Sequence, residues 1–182
     1  MKTSRALTPL LLTVVAAAFV FIACSDSRRG IYPGEIAPDV AGRDLAGQPL
    51  SLHQVQGKVL LVNFWATWCA PCMAELPALE RLHQSLKAMG FTVVGIAVDD
   101  SLGNIKDAVN ANGITYPVLL DEKGKSKRLF ELKGFPESFV LDAQKKVMII
   151  TDPGDGAPVT KIIGPREWSQ NQAMQVFQGL LQ

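Results

Sequence analysis

The sequence predicts an α/β three-layer sandwich with a mixed sheet and an N-terminal β-hairpin, and three observations carry that reading. Val59-Leu60-Leu61-Val62-Asn63-Phe64 is a nearly continuous apolar run, the mark of a strand covered on both faces. After Cys69 the spacing becomes helical, with Leu76, Leu79, Leu82, Leu86 and Met89 on one stripe, and residues 92–98 then form a second buried strand. Alternation of this kind demands a parallel strand–helix–strand unit, whereas the closely spaced strands beyond residue 139 suggest an antiparallel continuation.

The elements follow in order. Residues 40–58 hold a turn region from Gly42 to Gln48 and the short apolar Leu50-Ser51-Leu52, which reads as a hairpin. Gly90 closes the first helix. Ser101 can cap a second helix that reaches Ala111 and stops at Asn112-Gly113. A short strand over 116–120 and a short helix over 125–132 come next, followed by strands over 139–141, 147–151 and 160–163. Residues 166–181 read as a closing helix with Trp168, Met174, Val176, Phe177 and Leu180 as its apolar content. Asp152 to Pro158 reads as an enlarged turn, and Pro77 as a bend in the first helix.

The first 23 residues are an address. Met1 to Arg5 is a short cationic start, and Ala6 to Ala23 is apolar apart from Thr8, Pro9 and Thr13. A basic region before an apolar one reads as an export signal. It ends at Phe21-Ile22-Ala23-Cys24, which resembles a bacterial lipobox and implies cleavage before Cys24 with a diacylglycerol on its sulfur. An uncleaved anchor, about 27 Å long if helical, and ordinary secretory cleavage are the alternatives. All three put the domain outside the cytoplasm. The expected organisation is a signal peptide over 1–23, a small, charged tether over 24–35 and one folded domain over 36–182.

Composition narrows the function. The chain has 182 residues with 18 Lys and Arg against 17 Asp and Glu; removing Lys2 and Arg5 leaves 16 basic residues, a net −1. That balance argues against a nucleic-acid binder. A hydrophobic share of 48% excludes a disordered chain.

Trp68-Cys69-Ala70-Pro71-Cys72 sets a C-x-x-C pair directly after a buried strand and at a helix start. Two intervening residues bring the sulfurs within bonding reach. Cys69 sits where the helix dipole favours a thiolate, and Cys72, one turn further in, would resolve a mixed disulfide. A structural disulfide would restrain little across so short a loop. A zinc half-site lacks further ligands, because His53 and His83 are distant and without ligand spacing. The Asp99-Asp100 pair at a strand end reads as loop and cap chemistry.

The segment Asn63-Phe64-Trp65-Ala66-Thr67-Trp68-Cys69-Ala70-Pro71-Cys72-Met73-Ala74-Glu75-Leu76-Pro77 resembles the active-site signature of the thioredoxin superfamily. More narrowly it is similar to the exported TlpA/ResA-like thiol-disulfide oxidoreductases of the cytochrome c maturation type. Ala37-Pro38-Asp39, Gly57-Lys58 and the run from Gly134 to Asp142 match that branch, and the resemblance covers residues 34–181. It implies a thioredoxin-like fold with a cis Phe135-Pro136 peptide facing the disulfide.

One departure bears on mechanism. Cytoplasmic thioredoxins carry a buried Asp under the disulfide where this chain has Asn63, which cannot take a proton. Glu137, directly after Pro136, and Glu75, one turn beyond Cys72, are the carboxylates left nearby, and Glu137 is the favoured acid/base candidate. Trp65 and Trp68 are expected to pack around the active-site turn, Trp68 covering the disulfide.

The resulting expectation is a lipid-tethered periplasmic enzyme that reduces disulfides of exported proteins, apocytochrome c among them, through Cys69 and Cys72. In an oxidising compartment it needs a transmembrane thiol-disulfide electron donor, and it needs no cofactor or metal. The alternatives are a disulfide-forming oxidase or isomerase and a copper(I) carrier. A peroxidase has little support, since its helix would carry a lone cysteine.

Overall fold

The computed structural model describes residues 31–98 and 101–182. The expected signal peptide, the lipidation site Cys24, most of the tether and the Asp99-Asp100 pair lie outside the described residues. Among the described residues no helix is long and apolar enough to cross a membrane.

The hairpin forms as expected, with β1 (Ala41–Arg43) antiparallel to β2 (Pro49–Ser51), and a single turn over Leu52–Gln54 follows it. Then come β3 (Val59–Trp65), α1 (Ala70–Leu86), β4 (Phe91–Val98), α2 (Leu102–Ala111), β5 (Val118–Asp121) and α3 (Lys125–Leu129). The chain closes with β6 (Glu137–Asp142), β7 (Ile150–Thr151), β8 (Pro158–Val159), β9 (Ile162–Ile163) and α4 (Asn171–Leu180). The seven-stranded sheet has the order β2-β1-β5-β4-β3-β6-β9. Strands β3, β4 and β5 are parallel, as the intervening helices require, while β6, β9 and β1 run antiparallel to their neighbours. Strands β7 and β8 pair separately as a two-stranded ribbon.

Strand β3 is buried on both faces, and its alternation assigns each residue a side. Val59, Leu61 and Trp65 join the core beneath α1, α2 and α4. Leu60, Val62 and Phe64 join the opposite core, covered by Val40, Leu52 and the Phe130–Leu132 segment behind α3. That second layer is thin, built from a single turn, a short helix and irregular chain. Asn63 falls on the α1 side. Its position makes the active site.

The stripe of α1 is buried as predicted at Leu76, Leu79, Leu82 and Leu86, and the helix runs on through Pro77. Met89 is exposed, because the chain tightens into a 3-10 turn after Leu86 and leaves the stripe. Gly90 ends that turn at φ 99°, a conformation that favours glycine. Three other expectations shift. The fold starts before residue 36, since Ile31 packs on the core and Gly34 N donates to Val147 O at 2.8 Å. The strand expected over 147–151 is a bridge at Val147 plus the short β7. The closing helix is shorter than the spacing predicts, so Arg166 and Glu167 form an irregular strap behind Pro165 that ends in a turn at Trp168 ahead of α4.

Close approach of β1 to β5 fixes Gly42. A methyl group there would lie 2.1 Å from the carbonyl oxygen of Leu120, and backbone cannot yield as a side chain does. Gly42→Ala is therefore expected to lower the unfolding free energy by about 1–3 kcal/mol in urea titration, without changing thiol reactivity three strands away at the end of β3.

Candidate active site

Cys69 and Cys72 are bonded to each other, with Cα atoms 5.2 Å apart. Cys69 is the N-cap of α1, and its Sγ accepts a hydrogen bond from the Cys72 main-chain N–H at 3.3 Å. Ala70 and Pro71 fill the first turn, where a missing N–H costs nothing. Cys69 keeps 5% exposure and Cys72 none, so the N-terminal sulfur is the one within reach of another molecule. Trp68 is 64% exposed and meets the Phe135 ring edge-on at 5.7 Å, instead of lying folded into the core. The Phe135–Pro136 peptide is cis. Pro136 O accepts from Gly164 N at 2.9 Å, which ties this loop to the chain leaving β9.

The two candidate carboxylates have different surroundings. Glu75 lies one turn beyond Cys72 on the same side of α1, buried against the sheet. Its Oε1 accepts from Asn63 Nδ2 at 2.8 Å. Its Oε2 accepts from Trp168 Nε1 at 2.8 Å and from the Arg166 main-chain N–H at 3.2 Å. Asn63 Nδ2 also donates to Ser138 Oγ at 3.0 Å, so the asparagine bridges β6 and α1. Burial raises the pKa of Glu75 above the ordinary 4.5, opposed by the Trp168, Asn63 and Arg166 hydrogen bonds and by the Arg166 charge.

Glu137 sits on the other side of the sheet. It is opposite Phe64 in the β3–β6 ladder, and directly paired residues share a face, which here is the one turned away from α1. Its Oε1 accepts from the Lys133 and Gly134 main-chain N–H groups at 2.8 and 3.0 Å. Oε2 forms an ion pair with Lys161 at 2.8 Å, and Lys161 also donates to Glu131 O. These contacts hold the loop that leads into Pro136. The expectation that favoured Glu137 over Glu75 rested on chain proximity to Pro136, and sequence does not say which face a strand residue takes.

Sequence reasoning missed Trp168, Arg166 and Asp152. The Asp152 carboxylate holds the Arg166 guanidinium through both oxygens at 2.7 Å. Pro165 and the polar Ser169-Gln170 before the apolar run were the available signal that Trp168 precedes the helix. Among the described residues, three buried polar atoms around this core, Asn63 Oδ1, Trp65 Nε1 and Tyr116 OH, have no protein partner. Burial also pushes the Tyr116 phenol well up, so it stays neutral. Among the described residues no group of three or more His, Cys, Asp or Glu side chains could hold a metal ion.

The fold and the cysteine pair agree with what the chain is similar to. Residues 33–150 match the AhpC/TSA family. The chain belongs to the AhpC/TSA family. The thioredoxin-like protein YneN of Bacillus subtilis is 34% identical over 119 residues, covering 62% of this chain and 67% of that one. A thiol-disulfide oxidoreductase ResA of Bacillus cereus is 30% identical over 137 residues, 75% of this chain and 73% of its own. Among solved structures, a thiol:disulfide interchange protein of the DsbE type from Chlorobium tepidum has a TM-score of 0.69 at 27% identity, over 84% of this chain and all of that one. The family member described here thus has a thioredoxin-like fold and the dithiol of a thiol-disulfide oxidoreductase of the ResA and DsbE kind.

Glu75 makes stability depend on pH in a stated direction. Its pKa is raised by folding, so the folded state holds the proton more tightly than the unfolded chain. This contribution is fully present below the ordinary value of 4.5 and declines as pH rises through the raised one. Unfolding free energies of the oxidised protein, measured in urea across that window, should fall more steeply with pH in the wild type than in Glu75→Gln.

Proposed function

We propose that this protein is a reductase for disulfides in exported proteins, with apocytochrome c cysteines among its clients. It works on the periplasmic face of a bacterial membrane, held there by a lipid on Cys24 or by the uncleaved N-terminal segment. The observation that carries the reading is the asymmetry of the dithiol: a slightly exposed cysteine at a helix N-terminus, and a fully buried one a turn before a buried carboxyl group.

In the reduced enzyme, the Cys69 thiolate attacks one sulfur of a client disulfide. The client S–S bond breaks, a Cys69–client bond forms, and the departing client thiolate takes a proton from solvent. Cys72 then passes its proton to the Glu75 carboxylate and attacks Cys69 Sγ, expelling the second client sulfur as a thiolate that takes a proton from solvent and leaving the Cys69–Cys72 bond. Two electrons have moved to the client. A membrane dithiol donor must return them by the same exchange in reverse, and no cofactor enters.

Glu75 is assigned the proton-carrying role because it is buried on the α1 side of the sheet with a raised pKa. Glu137 is assigned the role of holding the Lys133–Pro136 loop. That loop leaves the Phe135 main chain beside Trp68, where an extended client strand can pair.

With a disulfide-bonded peptide as client, Cys72→Ser should accumulate a mixed disulfide through Cys69, and Cys69→Ser should form none. Glu75→Gln should slow resolution of the mixed disulfide about a hundredfold near neutral pH. Glu137→Gln should change that rate far less while weakening peptide binding. Resolution unaffected by Glu75→Gln would remove Glu75 from the mechanism. Fatty-acid labelling in cells should be lost in Cys24→Ala; labelling that persists would refute the lipid anchor.

A further inference from the structure

The enlarged turn at Asp152–Pro158 has no place in the chemistry above, yet it is joined to it. Asp152 is buried, and its two oxygens grip the Nε and Nη2 of Arg166 in a fork-to-fork ion pair. The remaining Arg166 nitrogen donates to the carbonyls of Ile163, Gly164 and Pro165, so the guanidinium staples the strap to itself as well as to the turn. Gly154 N donates to Asp152 Oδ1 at 2.7 Å. A methyl group on Gly154 would lie 2.8 Å from Arg166 Nε, so the turn leaves room for the guanidinium. From this anchored strap, Gly164 N reaches Pro136 O, while Arg166 N and Trp168 Nε1 reach Glu75 Oε2.

We propose that the Asp152–Arg166 pair is a positioning device for catalysis, holding the 163–168 strap so that two N–H donors stay on Glu75 and one on the proline loop. The inference rests on Glu75 as proton carrier. Asp152 positions Glu75 through the strap.

The groups facing Glu75 are Cys72 on its own helix, Asn63 on β3, Ser138 on β6, and Arg166 and Trp168 on the strap, with Tyr116 coupled to it through space. Two effects of Asp152→Asn then oppose each other. By charge alone, losing an anion and freeing the Arg166 cation eases ionisation of Glu75 and lowers its midpoint. Loosening the strap withdraws two donors from the carboxylate and raises the midpoint. The sign discriminates.

The test uses the full-length oxidised protein with ¹³C-labelled glutamate side chains, the Glu75 carboxyl resonance being assigned by its loss in Glu75→Gln. Trp168→Phe should raise the midpoint by about one pH unit. Asp152→Asn should raise it in the same direction, and so should Gly154→Ala, which displaces the guanidinium without altering any charge. In both clamp variants the pH profile of mixed-disulfide resolution should move to higher pH by the same amount. A role in stability alone would lower the urea midpoint and leave the Glu75 titration in place. A midpoint that is unchanged or lowered in both variants overturns the clamp. Failure of the underlying assignment shows separately, as an unchanged resolution rate in Glu75→Gln.

Discussion

A carboxyl group placed inside a protein must be protonated, paired or surrounded by donors, and Glu75 constrains much of what surrounds it. Its oxygens are met by an amide from β3, and by an indole and a main-chain N–H from the strap. These three donors partly offset desolvation without cancelling it, so the group keeps its proton to higher pH than an ordinary glutamate.

The topology explains how three distant segments meet at one carboxylate. The parallel β3–α1–β4 unit lays α1 across the sheet with its N-terminus at the end of β3, which puts Cys69 at the helix start. The antiparallel β6 brings Ser138 beside Asn63 and, one residue earlier, turns Glu137 to the opposite face. The strap after β9 then crosses back over α1 to deliver Trp168. The period of two along β6 thus puts Ser138 on the face of Asn63 and Glu75, and Glu137 on the opposite face, where it holds the loop before Pro136.

Much of this was legible in the residues. The apolar run of β3, the leucine stripe of α1 and the C-x-x-C between them specify the parallel unit and place the dithiol, because each pattern has one cheap structural solution. The rest depends on tertiary register. Trp168 looks like helix content by composition, and only the packed structure shows it ahead of α4 with its N–H on Glu75. Asn63 was recognised as unable to accept a proton, but its amide donating to Glu75 requires knowing that both lie on one side of the sheet. Asp152 and Arg166 are 14 residues apart across a ribbon and a turn, a spacing with no local signature.

The most direct test of the proposed function is the reduction potential of the Cys69–Cys72 couple, equilibrated against dithiothreitol and glutathione buffers and followed by the fluorescence of the neighbouring Trp68. A reductase recharged by a membrane donor predicts a reversible two-electron couple near or below about −230 mV, toward the thioredoxin end of the scale. A value near about −120 mV, or no reversible couple, would contradict it and make the protein an oxidant or a thiol carrier.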